Sequence, residues 1–306
     1  MAIVSNPRSA LIARLEGVHL FHFEAAPCAQ RVRFALAERG LTRGREVKFD
    51  SERPQDCTGE PGKWVSRHVS LIRKDHITPQ YAAIHPHMVV PALVHDGVLH
   101  IESMDIVRYV DDNWPGPGLL PEDPQRRALS DELVIEGKAA HRSIRFVSFR
   151  WGLRGLGKLS AAEEARLLAL EQENSPEKMG EFYTGFDQGT IPEAVFLEHL
   201  HLLETGYARL ESLLEDGRAF LTGDSLTPAD IIWSLKVLRI GECGYPFARN
   251  FPALHAWFRR ISARPAFREG VMGHNKFLSG AMSIKASVEN FFGKGLKQVS
   301  MVPTAP

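Results

Sequence analysis

Cysteine is scarce: the 306 residues hold only Cys28, Cys57 and Cys243. An odd, widely spaced set of three makes neither a disulfide framework nor a metal motif, so no metal is expected and a reducing, cytoplasmic setting is the default. Long apolar runs are also missing, which excludes a membrane-spanning helix. There is no excess of either charge, since 37 Lys and Arg stand against 37 Asp and Glu. That balance favours neither a nucleic acid nor a membrane surface as partner. Residues Met1 to Gly17 carry Arg8 and Arg14 but no apolar core, and do not read as a secretory signal. No internal repeat is visible. What is present is 44% hydrophobic and 24% charged residues, the composition of a globular protein with one large or two ordinary domains.

The first hundred residues alternate strand and helix signals. Val18 to Phe23 reads as a strand, Glu24 to Pro27 as a turn, and Cys28 to Gly40 as an amphipathic helix stopped by its glycine. Arg45 to Asp50 and Val69 to Arg73 are alternative second strands. Ser51 to Trp64, rich in Pro, Gly and acid, reads as an inserted surface loop. A short helix over Pro79 to Ile84 precedes a hairpin, Val89 to Val94 and Val98 to Ile101, turning at Asp96-Gly97. A helix runs from Glu102 to about Asn113, and Trp114 to Gly118 breaks the chain. Beyond it the periodicity is helical: Pro124 to Arg150, Ala161 to Gln172, Pro192 to Leu214, Pro228 to Gly241, Phe251 to Ala263 and Ala266 to Val271. Gly152 to Gly157, Asn174 to Gly189 and Ala281 to Pro306 are the least patterned stretches. The expected domains are 15–113, 123–280 and a tail over 281–306.

The segment His85-Pro86-His87-Met88-Val89-Val90-Pro91 carries the most chemistry. Proline lacks an N–H and suits the start of a strand. A Val-Pro start leaves the Val90 backbone groups facing outward, free to pair with an extended peptide. The first-turn amides at Glu102 and Ser103, one hairpin later, can hold a carboxylate. Two such anchors suit a small peptide-like ligand. In the second half, Ile144 to Trp151 mixes aromatic and basic residues, with Phe182, Tyr183 and Phe186 beyond. An apolar slot with one or two cations suits an aromatic substrate, and Arg145, Phe149 and Tyr183 are the candidate lining. Phe146, Phe149 and Trp151 cannot share one helix face. Thr227-Pro228-Ala229-Asp230 has the form of a capping box, so Asp230 reads as a folding device.

Four motifs resemble the glutathione transferase superfamily: Leu20 to Phe23 followed by Pro27-Cys28-Ala29-Gln30-Arg31-Val32-Arg33; His85-Pro86 to Val90-Pro91; Glu102-Ser103-Met104-Asp105-Ile106; and Leu221 to Ile231. The resemblance runs from Val18 to about Met272. It implies an α/β plus all-α protein: a thioredoxin-like N-terminal domain with a mixed four-stranded sheet, then an all-helical domain with a hydrophobic pocket. It implies glutathione as co-substrate, held by Val90, a cis Pro91, Glu102 and Ser103, with His87 a cation for the glycyl carboxylate. It also implies a homodimer, or a heterodimer with a related chain. The thiol-activating Ser, Cys or Tyr of the family falls here on Ala25 or Ala26, which have no side-chain donor. Remaining donors are the helix-start amides, His22, and His141, Arg145 or Tyr183. Cys28 is expected to turn into the core. Met88 stands where the family often has Gly. Length and the long tail resemble bacterial glutathione-dependent β-aryl etherases and dehalogenases. The alternative is a transferase-like subunit that supports a catalytic partner.

Overall fold

The computed structural model describes residues 2–153, 158–174, 179–273 and 276–300. Its elements begin with β1 (Ala2–Val4), β2 (Val18–His22), α1 (Pro27–Glu38), β3 (Thr42–Lys48), α2 (Pro54–Cys57), β4 (Lys63–His68), α3 (Pro79–Ile84), β5 (Ala92–His95), β6 (Val98–Ile101) and α4 (Ser103–Asn113). Helices follow: α5 (Pro124–Ala139), α6 (His141–Trp151), α7 (Ala161–Asn174), α8 (Met179–Asp187), α9 (Glu193–Leu214), α10 (Pro228–Glu242), α11 (Phe247–Asn250), α12 (Pro252–Ala263), α13 (Pro265–Phe267), α14 (Lys276–Phe291) and α15 (Leu296–Val299). A five-residue π turn, Arg268–Met272, follows α13. No helix among the described residues is long and apolar enough to cross a membrane.

The chain divides into two compact units, one of residues 1–116 with 156–190, the other of 117–155 with 191–306. In the first, one mixed sheet runs β1-β6-β5-β2-β4-β3. β2 lies parallel to β4, and β4 to β3; β5 lies antiparallel to β2, β6 to β5 and β1 to β6. This is a thioredoxin-like unit with two edge strands beyond the expected four. Both second-strand regions differ from the sequence reading. β3 starts earlier than Arg45, and β4 occupies the end of the supposed loop, where Trp64 and Val65 bury against the sheet. Residues 69–73 form no strand: Val69 N–H reaches back to His22 C=O at 2.8 Å and the chain then turns. The loop also contains α2.

Local signals explain the element ends. Pro27 opens α1, and Gly40 closes it at φ +75°, with Leu41 N–H donating to Leu36 C=O and Gly40 N–H to Ala37 C=O. Asp96 and Gly97, both at positive φ, make the β5–β6 turn. The central strand β2 is buried throughout and yet contains His19 and His22. Each finds partners. His19 Nδ1 accepts from Arg67 Nε at 3.1 Å, and Nε2 lies 2.9 Å from Glu16 C=O. Arg67 spends its remaining donors on the carbonyls of Phe49, Ser51 and Asp56. The stretch from 174 to 189, patternless in sequence, holds α8, which belongs with α7 to the first unit. Leu167 of α7 packs with Ile77, Ala82 and Met88, and half-buried Tyr183 joins them.

The second unit is all helical. Its axis is α10, buried almost from end to end. The approach of α5 is close enough that a Cβ on Gly137 would meet Ile232 at 2.9 Å. The capping box is as the sequence suggests: Asp230 Oδ2 accepts from Thr227 N–H and hydroxyl at 2.9 and 2.8 Å. Oδ1 accepts from Leu221 N–H and Trp257 Nε1, both at 2.9 Å. Burial pushes its carboxyl upward against those four donors. The tail expected over 281–306 holds most of α14, which starts at Lys276, and all of α15, while residues 301–306 lie outside the described set.

Two outcomes follow from these buried polar groups. Asp230→Ala strands four donors in the core and should cost about 3–5 kcal/mol in urea unfolding. Burial lowers His19 to about 4 and His85 to about 3, against an ordinary value of 6.5. Both are neutral in the fold and charge on unfolding below pH 6.5, so their stabilisation is complete above that pH and is withdrawn as pH falls. Between pH 6.5 and 5 each should remove about 2 kcal/mol. A urea midpoint that stays flat across that window would contradict the assignment.

Candidate functional site

The loop entering β5 sets up the first anchor. His85 is buried and neutral, and its Nδ1 accepts the His87 N–H at 3.2 Å. Met88 N–H donates to His85 C=O at 2.9 Å, and Met88 sits at φ +54°, the strained path anticipated for a side chain where a glycine is easier. Its side chain is buried against the cluster containing Leu167. Buried Tyr81, its phenol held neutral by desolvation, donates to Val89 C=O at 2.8 Å. Val90–Pro91 is cis. Among the described residues, no hydrogen bond falls on the Val90 N–H or C=O. Those are the two groups a peptide would need.

The second anchor is the start of α4. Glu102 precedes the helix at φ +66°, ψ +104°, exposed, and its carbonyl accepts from Asp105 and Ile106, each at 2.9 Å. The amides of Ser103 and Met104 take no partner among the described residues, as expected for a first turn. His87, half-exposed, brings Nδ1 to 3.8 Å from Glu102 Oε1. The structure thus gathers His87 and Glu102 at one spot. Beneath the turn, Arg31 of α1 donates from Nη1 to Ser103 Oγ at 3.1 Å. Nothing in the sequence reading singled out Arg31. The available signal was an arginine on the stretch of α1 from Ala29 to Leu36, every residue of which is buried.

The thiol-activating region is short of side-chain donors. Ala25 is buried and Ala26 is the N-cap of α1, with Gln30 N–H the first to reach the Ala26 carbonyl, at 2.9 Å. Cys28 does not turn fully into the core: it is half-buried, because the buried run of α1 begins one residue later at Ala29. His22 is wholly buried. Its Nε2 lies 2.8 Å from Ser66 Oγ, and its Nδ1 3.1 Å from Arg33. Arg33 is held at 3.5 Å from Glu24, which Arg43 also meets at 2.7 Å. The ring is therefore a member of a buried charge network. Of the other named residues, Tyr183 lies on α8 in the first unit, with Lys74 Nζ 6.0 Å from its ring. His141, Arg145 and Phe149 lie on α6 in the second unit, all half-buried. On that helix Phe146 and Trp151 are buried, Phe146 against Phe196 and His199 of α9.

Comparison with known proteins identifies this arrangement. The sequence pattern of the glutathione S-transferase N-terminal domain matches residues 20–118, and that of the C-terminal domain of the same family matches 167–265. The chain belongs to the glutathione transferase superfamily. A glutathione S-transferase 1 of Dianthus caryophyllus is 32% identical over 113 residues, 37% of this chain and 42% of that protein. The chain spans about half the length of the first curated relatives it matches. Among solved structures, beta-etherase LigF from Sphingobium sp. strain SYK-6 matches with a TM-score of 0.65 at 22% identity, over 84% of this chain and 99% of that one. A theta class glutathione S-transferase from Xanthomonas axonopodis pv. citri, with glutathione bound, matches with a TM-score of 0.54 at 21% identity, over 84% and 98%. At these identities the likeness is one of fold.

The positive φ at Glu102 separates strain from binding. Glu102→Gly relieves the backbone and should raise unfolding stability by about 1 kcal/mol while deleting the exposed carboxylate. Denaturation of the two proteins checks this. A clear loss of stability in the glycine variant would mean that the Glu102 side chain holds the turn.

Proposed function

We propose that the chain binds glutathione at Val90, Glu102 and Ser103 and presents its thiolate to an electrophilic aromatic ether. The observation that carries the reading is the pair of unbonded Val90 backbone groups beside a helix start that also has free amides. A cysteinyl residue in extended conformation pairs with Val90 as a short strand would. The γ-glutamyl head then reaches the turn, its carboxylate at the Ser103 and Met104 amides and its ammonium at Glu102. His87, beside Glu102, adds a polar group on the rim.

In the reaction the sulfur attacks the carbon bearing the aryloxy group. A C–S bond forms, the C–O bond breaks, and the electron pair leaves as a phenolate that takes a proton from water. With alanine at both positions 25 and 26, thiolate stabilisation falls to main-chain donors at the α1 start or to a residue brought from elsewhere. Tyr183, half-buried on α8 beside the Met88 cluster of the same unit, is the proposed contact for the aromatic substrate. Beta-etherase LigF is among the solved structures that share the fold, which suggests an aromatic ether as the electrophile, with a haloalkyl compound as the alternative. The Ala25-Ala26 pair equally motivates a working dimer, with a related transferase-like chain able to supply the donor.

Titration calorimetry tests the binding half. Glutathione should bind the purified chain, and Ser103→Ala should weaken it by about 1.5–3 kcal/mol. No binding by the chain, alone or with a related partner, would sink the proposal. The catalytic half is tested by measuring solution mass and glutathione-dependent cleavage of a model β-aryl ether on the same sample. An active homodimer establishes a self-sufficient enzyme. Activity that appears only on adding a second transferase-like chain establishes the supporting role. Cys28→Ala should keep most of the turnover, and a hundredfold loss with the fold intact would make Cys28 the thiol-bearing participant.

A further inference from the structure

Arg31 is a buried cation with few partners. It is 3% exposed, and its Nε and Nη2 are buried with no hydrogen-bond partner. Among the described residues, no carboxylate lies within ion-pair distance of it. Arg33, two residues further along α1, shows the usual solution, with Glu24 at 3.5 Å and carbonyl acceptors at Phe23 and Glu24. A buried guanidinium is retained without a counter-charge only at a cost, and the missing charge is commonly supplied by a ligand. The one bond Arg31 makes points to where that ligand sits: Nη1 to Ser103 Oγ at 3.1 Å. Since Ser103 Oγ accepts from Arg31, its own hydrogen is left to donate to a ligand at the helix start.

We infer that Arg31 is a positioning residue: its buried guanidinium, bonded to Ser103 Oγ, sets how strongly the helix start reads the glutamyl α-carboxylate. Arg31 does not touch the ligand. It fixes the direction of the Ser103 hydroxyl and supplies the positive potential behind it.

This rests on the glutathione reading, and the probe separates the two. Calorimetry compares glutathione with γ-aminobutyryl-cysteinyl-glycine, which is glutathione without the α-carboxylate of its glutamyl residue. The wild-type chain should prefer glutathione by roughly ten- to hundredfold. In Arg31→Met that preference should fall to within threefold, while affinity for the decarboxylated peptide stays within threefold of wild type. Damage to the fold would weaken both ligands alike. Arg31→Lys, which keeps the charge and loses the planar fork, should recover part of the preference. Equal binding of the two peptides by the wild-type chain overturns the carboxylate reading but leaves the glutathione site standing. An undiminished preference in Arg31→Met overturns the role of Arg31. Should that variant not fold, an undiminished preference in Arg31→Gln, which keeps a polar side chain and loses the charge, has the same force. Failure of the wild-type chain to bind either peptide overturns both readings.

Discussion

The first unit is organised around a strand that must be buried although two of its five residues are histidines. β2 lies between a parallel and an antiparallel neighbour and has no wet face. Its imidazoles therefore recruit partners, and those partners recruit others. His19 needs a donor and takes Arg67. Arg67 has more donors than one imidazole can use, and it gathers the carbonyls of Phe49, Ser51 and Asp56, so the long connection between β3 and β4 is pinned from inside. His22 takes Ser66 and Arg33, and through Arg33 the carboxylate of Glu24 at the turn into α1. Half-satisfied buried polar networks are worse than none, which is why this one is carried to completion at each imidazole.

The ligand-facing part of the unit follows the opposite rule. Backbone groups at Val90, Ser103 and Met104 are left open, two residues in strained backbone geometry, Met88 and Glu102, flank them, and a guanidinium is left without its counter-ion. Each of these is unfavourable alone. Grouped in two short segments and the α1 guanidinium that meets one of them, they describe a place where the free energy is completed by something that binds. The contrast between the fully partnered imidazoles of β2 and the open groups beside β5 and α4 distinguishes support from site within a single sheet.

Much of this was legible in the residues. Val90-Pro91 and Glu102-Ser103 announce themselves because proline and a helix start each change what the backbone can donate or accept. Thr227 to Asp230 does the same through side-chain length. Three features were not legible. Lys63–His68 was hidden because its flanks are rich in turn-formers, and only pairing with β2 decides that it extends. The helix α8 lacks a clean period because its apolar residues are spent locally on α7 and the Met88 cluster. Arg31 looks like a solvated residue of an amphipathic helix, since sequence spacing does not say which arginine lies over another element's first turn. The domain division also depends on such contacts: α7 and α8 pack on the loop around Met88, although they come long after it in the chain.

The two ends of the sheet have a consequence for the chain's behaviour in a crowded cell. One outer strand, β1, is three residues long. The other, β3, carries Arg43, Arg45, Glu46 and Lys48 within seven residues and breaks register with β4 between Arg43 and Glu46. A short edge and a charged, irregular one are both poor templates for an incoming strand. The sheet is thereby self-limiting, since neither margin offers a long, regular template for edge-to-edge growth.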